Sequence, residues 1–74
     1  MTNEEIQAVV VDTIKKAGEP VRFKALREAV DDATNGKHLG ADRVTDYAVR
    51  QLKKRAVITL TADRRWALVP MEKR

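Results

Sequence analysis

The chain has 74 residues, of which 35% are charged, and it contains no cysteine. This length predicts a single small domain, and the composition excludes disulfide bonds and thiolate metal sites. No apolar run approaches the ~20 residues of a membrane-spanning helix, and the acidic start has the wrong sign for a secretory signal. We therefore expect a cytoplasmic, nucleoid-associated protein, or a nuclear one if the source is eukaryotic.

The formal net charge of +4 is unevenly distributed along the chain. Residues 1–41 carry six Lys or Arg and seven Asp or Glu, whereas residues 42–74 carry nine and four. The first part is therefore close to neutral and the second has a net charge of +5. Such an asymmetry favours one face that binds a polyanion, although surplus surface charge can also serve solubility alone.

The first segment, residues 3–17, predicts an amphipathic helix with defined ends. Thr2 and Glu5 have the spacing of a capping box, and Gly18 followed by Pro20 is typical of a helix stop. The apolar side chains recur at the spacing of one buried face, namely Ile6, Val9, Val10, Ile14 and Ala17.

A second helix is predicted over residues 22–33, with Phe23, Leu26, Val30 and Ala33 on one side. Val21, which follows Gly18 and Pro20, is expected to be extended and able to pair as a short strand. Residues 34–41 contain an Asn-Gly pair and a further glycine, which indicates a loop.

The third segment, residues 42–55, predicts another helix, with Asp42 as its N-cap. One face is expected to be buried and consists of Thr45, Ala48, Val49 and Leu52. The opposite side collects polar and charged residues, namely Arg43, Asp46, Tyr47, Arg50 and Lys54.

The hydrophobic period then changes from 3.6 to 2, which predicts a β-hairpin over residues 57–69 with a turn at 61–65. Trp66 directly follows that turn and is expected to anchor the hairpin in the core. Residues 70–74 are expected to form a frayed tail. Three helices and a C-terminal hairpin give an α+β fold class, a small winged helix-turn-helix.

The last third of the chain, VTDYAVRQLKKRAVITLTADRRWALVP, resembles the recognition helix and wing of MarR-like transcription regulators. Their pattern places a threonine, spaced aliphatic residues and an isoleucine before a wing that contains Asp-Arg-Arg. The positions that match are Thr45, Val49, Leu52, Val57, Ile58 and Asp63-Arg64-Arg65, while Ala56 stands where that family has glycine. The resemblance implies DNA binding by a winged-helix domain.

Base readout is predicted for Arg43, Asp46, Tyr47 and Arg50, because a major groove roughly 12 Å wide admits one helix and its outward side chains. Arg50 is the strongest of these candidates, since arginine can bind guanine O6 and N7 together. Asp46 could accept from cytosine, could orient Arg50 four residues on, or could form with it an ordinary ion pair on a solvated helix. Tyr47 could instead pack at the edge of the core.

Phosphate or wing contacts are predicted for Lys37, Lys53, Lys54, Arg64 and Arg65. The two arginines at the hairpin tip could enter a neighbouring minor groove, whose negative potential attracts arginine. Asp63 is expected to shape the turn through side-chain hydrogen bonds to the backbone and to hold one arginine. Charged turn residues that are merely solvated remain the alternative.

The sequence therefore predicts a sequence-specific double-stranded DNA-binding protein, a small transcription regulator that works as a homodimer or with cooperative neighbours. An RNA-binding winged helix and a protein-interaction subunit are the alternatives. The single histidine, His38, has no nucleophile or second ligand near it in sequence. We therefore expect no enzyme activity, no metal, no cofactor and no small-molecule ligand.

Overall fold

The computed structural model describes residues 2–34 and 40–70. Three helices precede a two-stranded antiparallel sheet. In chain order the elements are α1 (Asn3–Ala17), α2 (Phe23–Ala33), α3 (Ala41–Lys54), β1 (Ile58–Leu60) and β2 (Trp66–Leu68). This confirms the predicted α+β class and the architecture of a small winged helix-turn-helix.

The ends of α1 are those that the sequence predicts. The Thr2 hydroxyl accepts a hydrogen bond from the Glu5 N–H, and the Glu5 carboxylate accepts one from the Thr2 N–H, both at 3.2 Å. Gly18 is in the left-handed region at φ 69° and donates its N–H to the carbonyls of Ile14 and Lys15 in the last turn of the helix. At each end of α1, some of the backbone groups that lack a partner within the helix are therefore hydrogen-bonded by the segment itself.

The second helix begins one residue later than predicted because Arg22 has an extended backbone. Its neighbour Val21 exchanges two backbone hydrogen bonds with Trp66, at 2.9 and 2.7 Å. The predicted short strand at Val21 is therefore confirmed as a β-bridge. The bridge joins the segment between α1 and α2 to the edge of the hairpin.

The prediction that Asp42 caps α3 is wrong, since the helix runs from Ala41 to Lys54 rather than over 42–55. Gly40 is the N-cap, with φ 87°, and its carbonyl accepts from the N–H groups of Arg43 and Val44. Asp42 lies inside the first turn, where its carboxylate is 3.2 Å from the Arg27 guanidinium of α2. The N-cap therefore lies two positions before the predicted one. Its left-handed backbone conformation favours glycine, and the cap has no side-chain hydrogen bond.

The hairpin is shorter than the predicted 57–69, because its strands cover only 58–60 and 66–68. Ile58 pairs with Leu68, Thr59 with Ala67, and Leu60 with Trp66. One further backbone bond, from Val69 to Val57 at 2.9 Å, lies beyond the strands. The turn at 61–65 is where the sequence predicts it.

The core lies where the three helices meet the first strand. The buried side chains come from one face of each helix and from β1, namely Ile6, Val10, Ile14, Leu26, Val30, Thr45, Ala48, Val49, Leu52 and Ile58. Val9, predicted on the buried face of α1, is only half-buried, and Ala17 and Ala33 are exposed. Trp66 packs half-buried against this core, as expected of an anchor for the hairpin.

Most of the predicted 34–41 loop and the tail after Pro70 lie outside the described residues. This includes Lys37 and His38, so the predicted phosphate contact of Lys37 stays a prediction. Ala41, assigned to the loop by sequence, belongs to α3. Within residues 2–34 and 40–70, none of the helices combines the length and apolar character required to cross a bilayer.

Candidate nucleic-acid interface

The outward side of α3 carries a stripe of long polar side chains. Arg43, Tyr47, Arg50 and Lys54 recur every three or four residues and are exposed, which places them on one helix face. The opposite face is buried, and its residues are Thr45, Ala48, Val49 and Leu52. Because burial fixes the rotation of the helix, these four residues are held toward solvent as the sequence predicts.

Asp46 and Arg50 form an ion pair on the flank of this stripe. The Arg50 Nε lies 3.0 Å from an Asp46 carboxylate oxygen, yet the Arg50 side chain remains 77% exposed. The ion pair between Asp46 and Arg50 is therefore present in the free protein, while the predicted base contacts of both residues stay predictions. The outer guanidinium edge of Arg50 stays available to a ligand.

Tyr47 is one of the two exposed large hydrophobic residues among those described, with 49% of its surface accessible. It is not among the residues that pack against the core, while its predicted contact with bases stays a prediction. Its ring and hydroxyl can contact a ligand at the centre of the stripe, between Arg43 and Arg50.

The last turn of α3 is basic, with Lys53 and Lys54 exposed. Cations at this end are stabilised by the helix dipole in any case. Arg55, directly after the helix, donates a hydrogen bond from Nη1 to the Gln7 amide oxygen at 3.0 Å. Arg55 therefore ties the end of α3 to α1, whereas the two lysines have no hydrogen-bond or ion-pair partner among the described residues.

The wing is the hairpin formed by β1 and β2, and its tip is the turn at residues 61–65. A hydrogen-bond network shapes this tip. The Thr61 hydroxyl donates to the Asp63 carboxylate and accepts from the Arg65 N–H at 3.0 Å. These bonds, with the Arg64 N–H donated to the Thr61 carbonyl at 3.0 Å, close the turn. The hydrogen bond from Thr61 is the main cause that lowers the pKa of Asp63 below its ordinary value.

The two wing arginines have different surroundings. Arg65 Nε lies 3.1 Å from an Asp63 oxygen, within ion-pair distance but without the angle of a hydrogen bond, and the side chain is 38% exposed. Asp63 thus holds one arginine, as predicted. Arg64 is exposed, and its side chain has no ion pair or hydrogen bond within the part of the chain that the structure describes. Arg64 is therefore the wing cation best able to bind an anion.

Arg22 is a further cation of this region that the sequence analysis missed. It lies close enough to Asp63 to contribute, through its positive charge, to the lowered pKa of that carboxyl group. The cause of this proximity is the neighbouring bridge between Val21 and Trp66. The predicted pairing of Val21 was the signal that could have placed Arg22 beside the wing.

The described part of the site combines guanidinium, ammonium and phenol groups, which can donate hydrogen bonds to anions and to base edges, with the carboxylates of Asp46 and Asp63, which accept them. Within residues 2–34 and 40–70, no cluster of three or more acidic or histidine side chains could hold a metal ion. Comparison of the chain with family models, with curated proteins and with solved structures gave no match.

Proposed function

We propose that this protein binds double-stranded DNA in a sequence-specific manner and acts as a small transcription regulator. The observation that carries the proposal is the exposed stripe of Arg43, Tyr47, Arg50 and Lys54 on a helix whose opposite face is buried. The stripe is followed in the chain by a hairpin whose tip presents Arg64.

The dimensions of α3 suit a major groove, which accepts one helix with its outward side chains against base edges. In this proposal Arg50 binds a guanine and Asp46 fixes the orientation of its guanidinium, which reduces the entropy lost on binding. Lys53, Lys54 and Arg64 bind phosphates or an adjacent groove, and these contacts add affinity without reading sequence.

The proposal is tested by selecting duplexes from a randomised library and measuring the affinity of each variant for the selected site and for a scrambled one. Arg50→Ala is expected to lower the ratio of the two affinities by about 5- to 150-fold, the range for one bidentate base contact. Lys54→Ala is expected to weaken both duplexes to the same extent, because a phosphate contact is independent of sequence.

Lys24→Ala is the matched control, since Lys24 is an exposed lysine on α2 that is not among the predicted contacts. It should change neither affinity beyond the small effect of removing one charge. Loss of a phosphate contact is also expected to flatten the slope of log K against log salt by about 0.9. If no duplex is enriched, or if a hairpin RNA binds better than DNA and Arg50→Ala behaves like Lys54→Ala, specific DNA binding is refuted.

A further inference from the structure

A groove along α1 is lined by seven residues of that helix, one of which is Val9. The other six recur at the spacing of a single stripe, namely Glu4, Gln7, Ala8, Val11, Asp12 and Lys15. Its wall on the other side includes Leu52, Arg55 and Val57, from the end of α3 and the following turn. The groove is therefore apolar in its centre and charged at its two ends.

The stripe is complementary to itself when a second α1 is laid against it in the antiparallel direction. With a two-fold axis halfway between Ala8 and Val11, Glu4 faces Lys15 of the second copy, and Ala8 faces its Val11. Gln7 and Asp12 lie on opposite flanks of the stripe, and the two-fold axis keeps them on opposite flanks, so this pair adds nothing to the complementarity. The Glu4–Lys15 and Ala8–Val11 contacts each occur twice by symmetry.

From this complementarity we infer that the protein forms a two-fold symmetric dimer through antiparallel contact of α1 with α1 of a second copy. Ala8, which is exposed and small, allows the two helices to approach, while Val11 and Val57 are half-buried in the free chain and gain burial. A parallel arrangement would instead place Glu4 against Glu4 and Lys15 against Lys15, and like charges oppose that arrangement.

The dimer is expected to dissociate on dilution. The facing stripes are only about 16 Å long at 1.5 Å per residue, which is short for a standard interface of ~800 Å² per partner. Exposed ion pairs add little affinity on their own, so the contact specifies register and direction more than strength. Dimerisation through this face does not depend on DNA binding, and its test contains no nucleic acid.

Disulfide trapping tests the register, because the chain has no native cysteine. Glu4→Cys and Lys15→Cys variants are mixed in equal amounts and oxidised gently. The antiparallel dimer predicts a cross-linked heterodimer of the two variants, in which the native Glu4–Lys15 pair at the other end is retained. Homodimers of either variant should be rare, since their thiols lie about 16 Å apart and a disulfide needs Cα atoms within about 7 Å.

The control mixes Glu4→Cys with Lys24→Cys, whose thiol lies on α2 outside the groove, and it sets the yield from random collision. A heterodimer yield several-fold above this background supports the inference. Equal yields of all three pairings, preferential homodimers, or a yield no higher than the control would overturn it.

Sedimentation equilibrium provides a second measurement on the unmodified chain. Wild-type protein should show a concentration-dependent dimer that Ala8→Glu abolishes, while Ala25→Glu, the same change at an exposed site on α2, retains it. Far-UV circular dichroism establishes that both variants are folded. A strictly monomeric wild type up to millimolar concentration, or a dimer that survives Ala8→Glu, would contradict contact through α1.

Discussion

At the residue scale, the two non-glycine residues with positive φ among those described both belong to the region after α3. Ala56 has φ 59° and follows the helix, and Arg64 has φ 63° at the tip of the wing. A side chain is disfavoured there by contact with the backbone carbonyl, at a cost of roughly 1–2 kcal/mol. Glycine would relieve this cost at either position.

The presence of arginine at a strained turn position is consistent with a contact role for Arg64. Arg64→Gly is therefore expected to raise the free energy of unfolding by about 1 kcal/mol and to weaken binding to all duplexes. A stabilisation of this size corresponds to about 4–8 °C in Tm for a domain of this length. Thermal unfolding and a duplex titration of the same samples measure both effects.

Ala56→Gly serves as the control, because it relieves the same kind of strain without removing a cation. It should stabilise the fold by a similar amount and leave the duplex affinity unchanged. Unaltered DNA affinity of Arg64→Gly would show that Arg64 does not contact nucleic acid. Destabilisation by both substitutions would show that the positive φ angles of Ala56 and Arg64 do not strain the backbone.

At the scale of the element, the wing depends on the Thr61 hydroxyl, which serves as donor to Asp63 and as acceptor for the Arg65 N–H. The hairpin itself has three residue pairs, and isolated hairpins are marginal in water. Side-chain bonds within the turn and the bridge from Val21 to Trp66 therefore contribute to holding the wing arginines in place.

Thr61→Val is expected to raise the pKa of Asp63 toward its ordinary value, because the main group that stabilises the carboxylate is lost. A carboxyl group with a lowered pKa in the folded state stabilises that state above the unfolded pKa. This contribution is lost as the pH falls through the folded pKa. The wild-type wing should therefore loosen as the pH falls through the folded pKa of Asp63, whereas the variant wing, in which that pKa is shifted less, should show a smaller dependence on acid.

Carboxyl-carbon NMR measures the titration of Asp63 directly, and the chemical shifts of residues 61–65 report on the turn. Thr61→Ser retains the hydroxyl and should titrate like the wild type. If Thr61→Val and Thr61→Ser give the same Asp63 titration, the hydrogen bond from Thr61 is not the cause of the lowered pKa.

At the scale of the whole molecule, the wing is joined to the helices through Trp66. This residue pairs with Val21, packs against the core, and is the sole tryptophan of the chain. Its fluorescence therefore reports on the hairpin, while far-UV circular dichroism reports mainly on the helices. A small domain usually unfolds in one cooperative step, and the shared contacts predict that the wing takes part in it.

Denaturant unfolding followed by the two signals is expected to give coincident midpoints and slopes. Val21→Pro removes the N–H that bonds to Trp66, and it should shift the fluorescence transition to lower denaturant than the helical one. Transitions that already separate in the wild type would show that the wing unfolds independently of the helices.

Local patterns in the sequence were sufficient to predict the three helices, the turn at 61–65 and the outward position of Arg50. Capping boxes, glycine stops and the 3.6-residue period act within a few residues, and burial of one helix face determines which side chains point outward. The predicted cap at Asp42 failed because a left-handed glycine at position 40 and the charge of Arg27 on another helix both act on that segment.

Contacts between distant segments could be decided only by the tertiary structure. The proximity of Arg22 to Asp63, the hydrogen bond between Arg55 and Gln7, and the groove beside α1 each join residues about 40 to 50 positions apart. No periodicity encodes such pairings, because they depend on how the helices and the hairpin pack together. The sequence by itself determined which elements form and which faces they expose, while packing determined which charges meet.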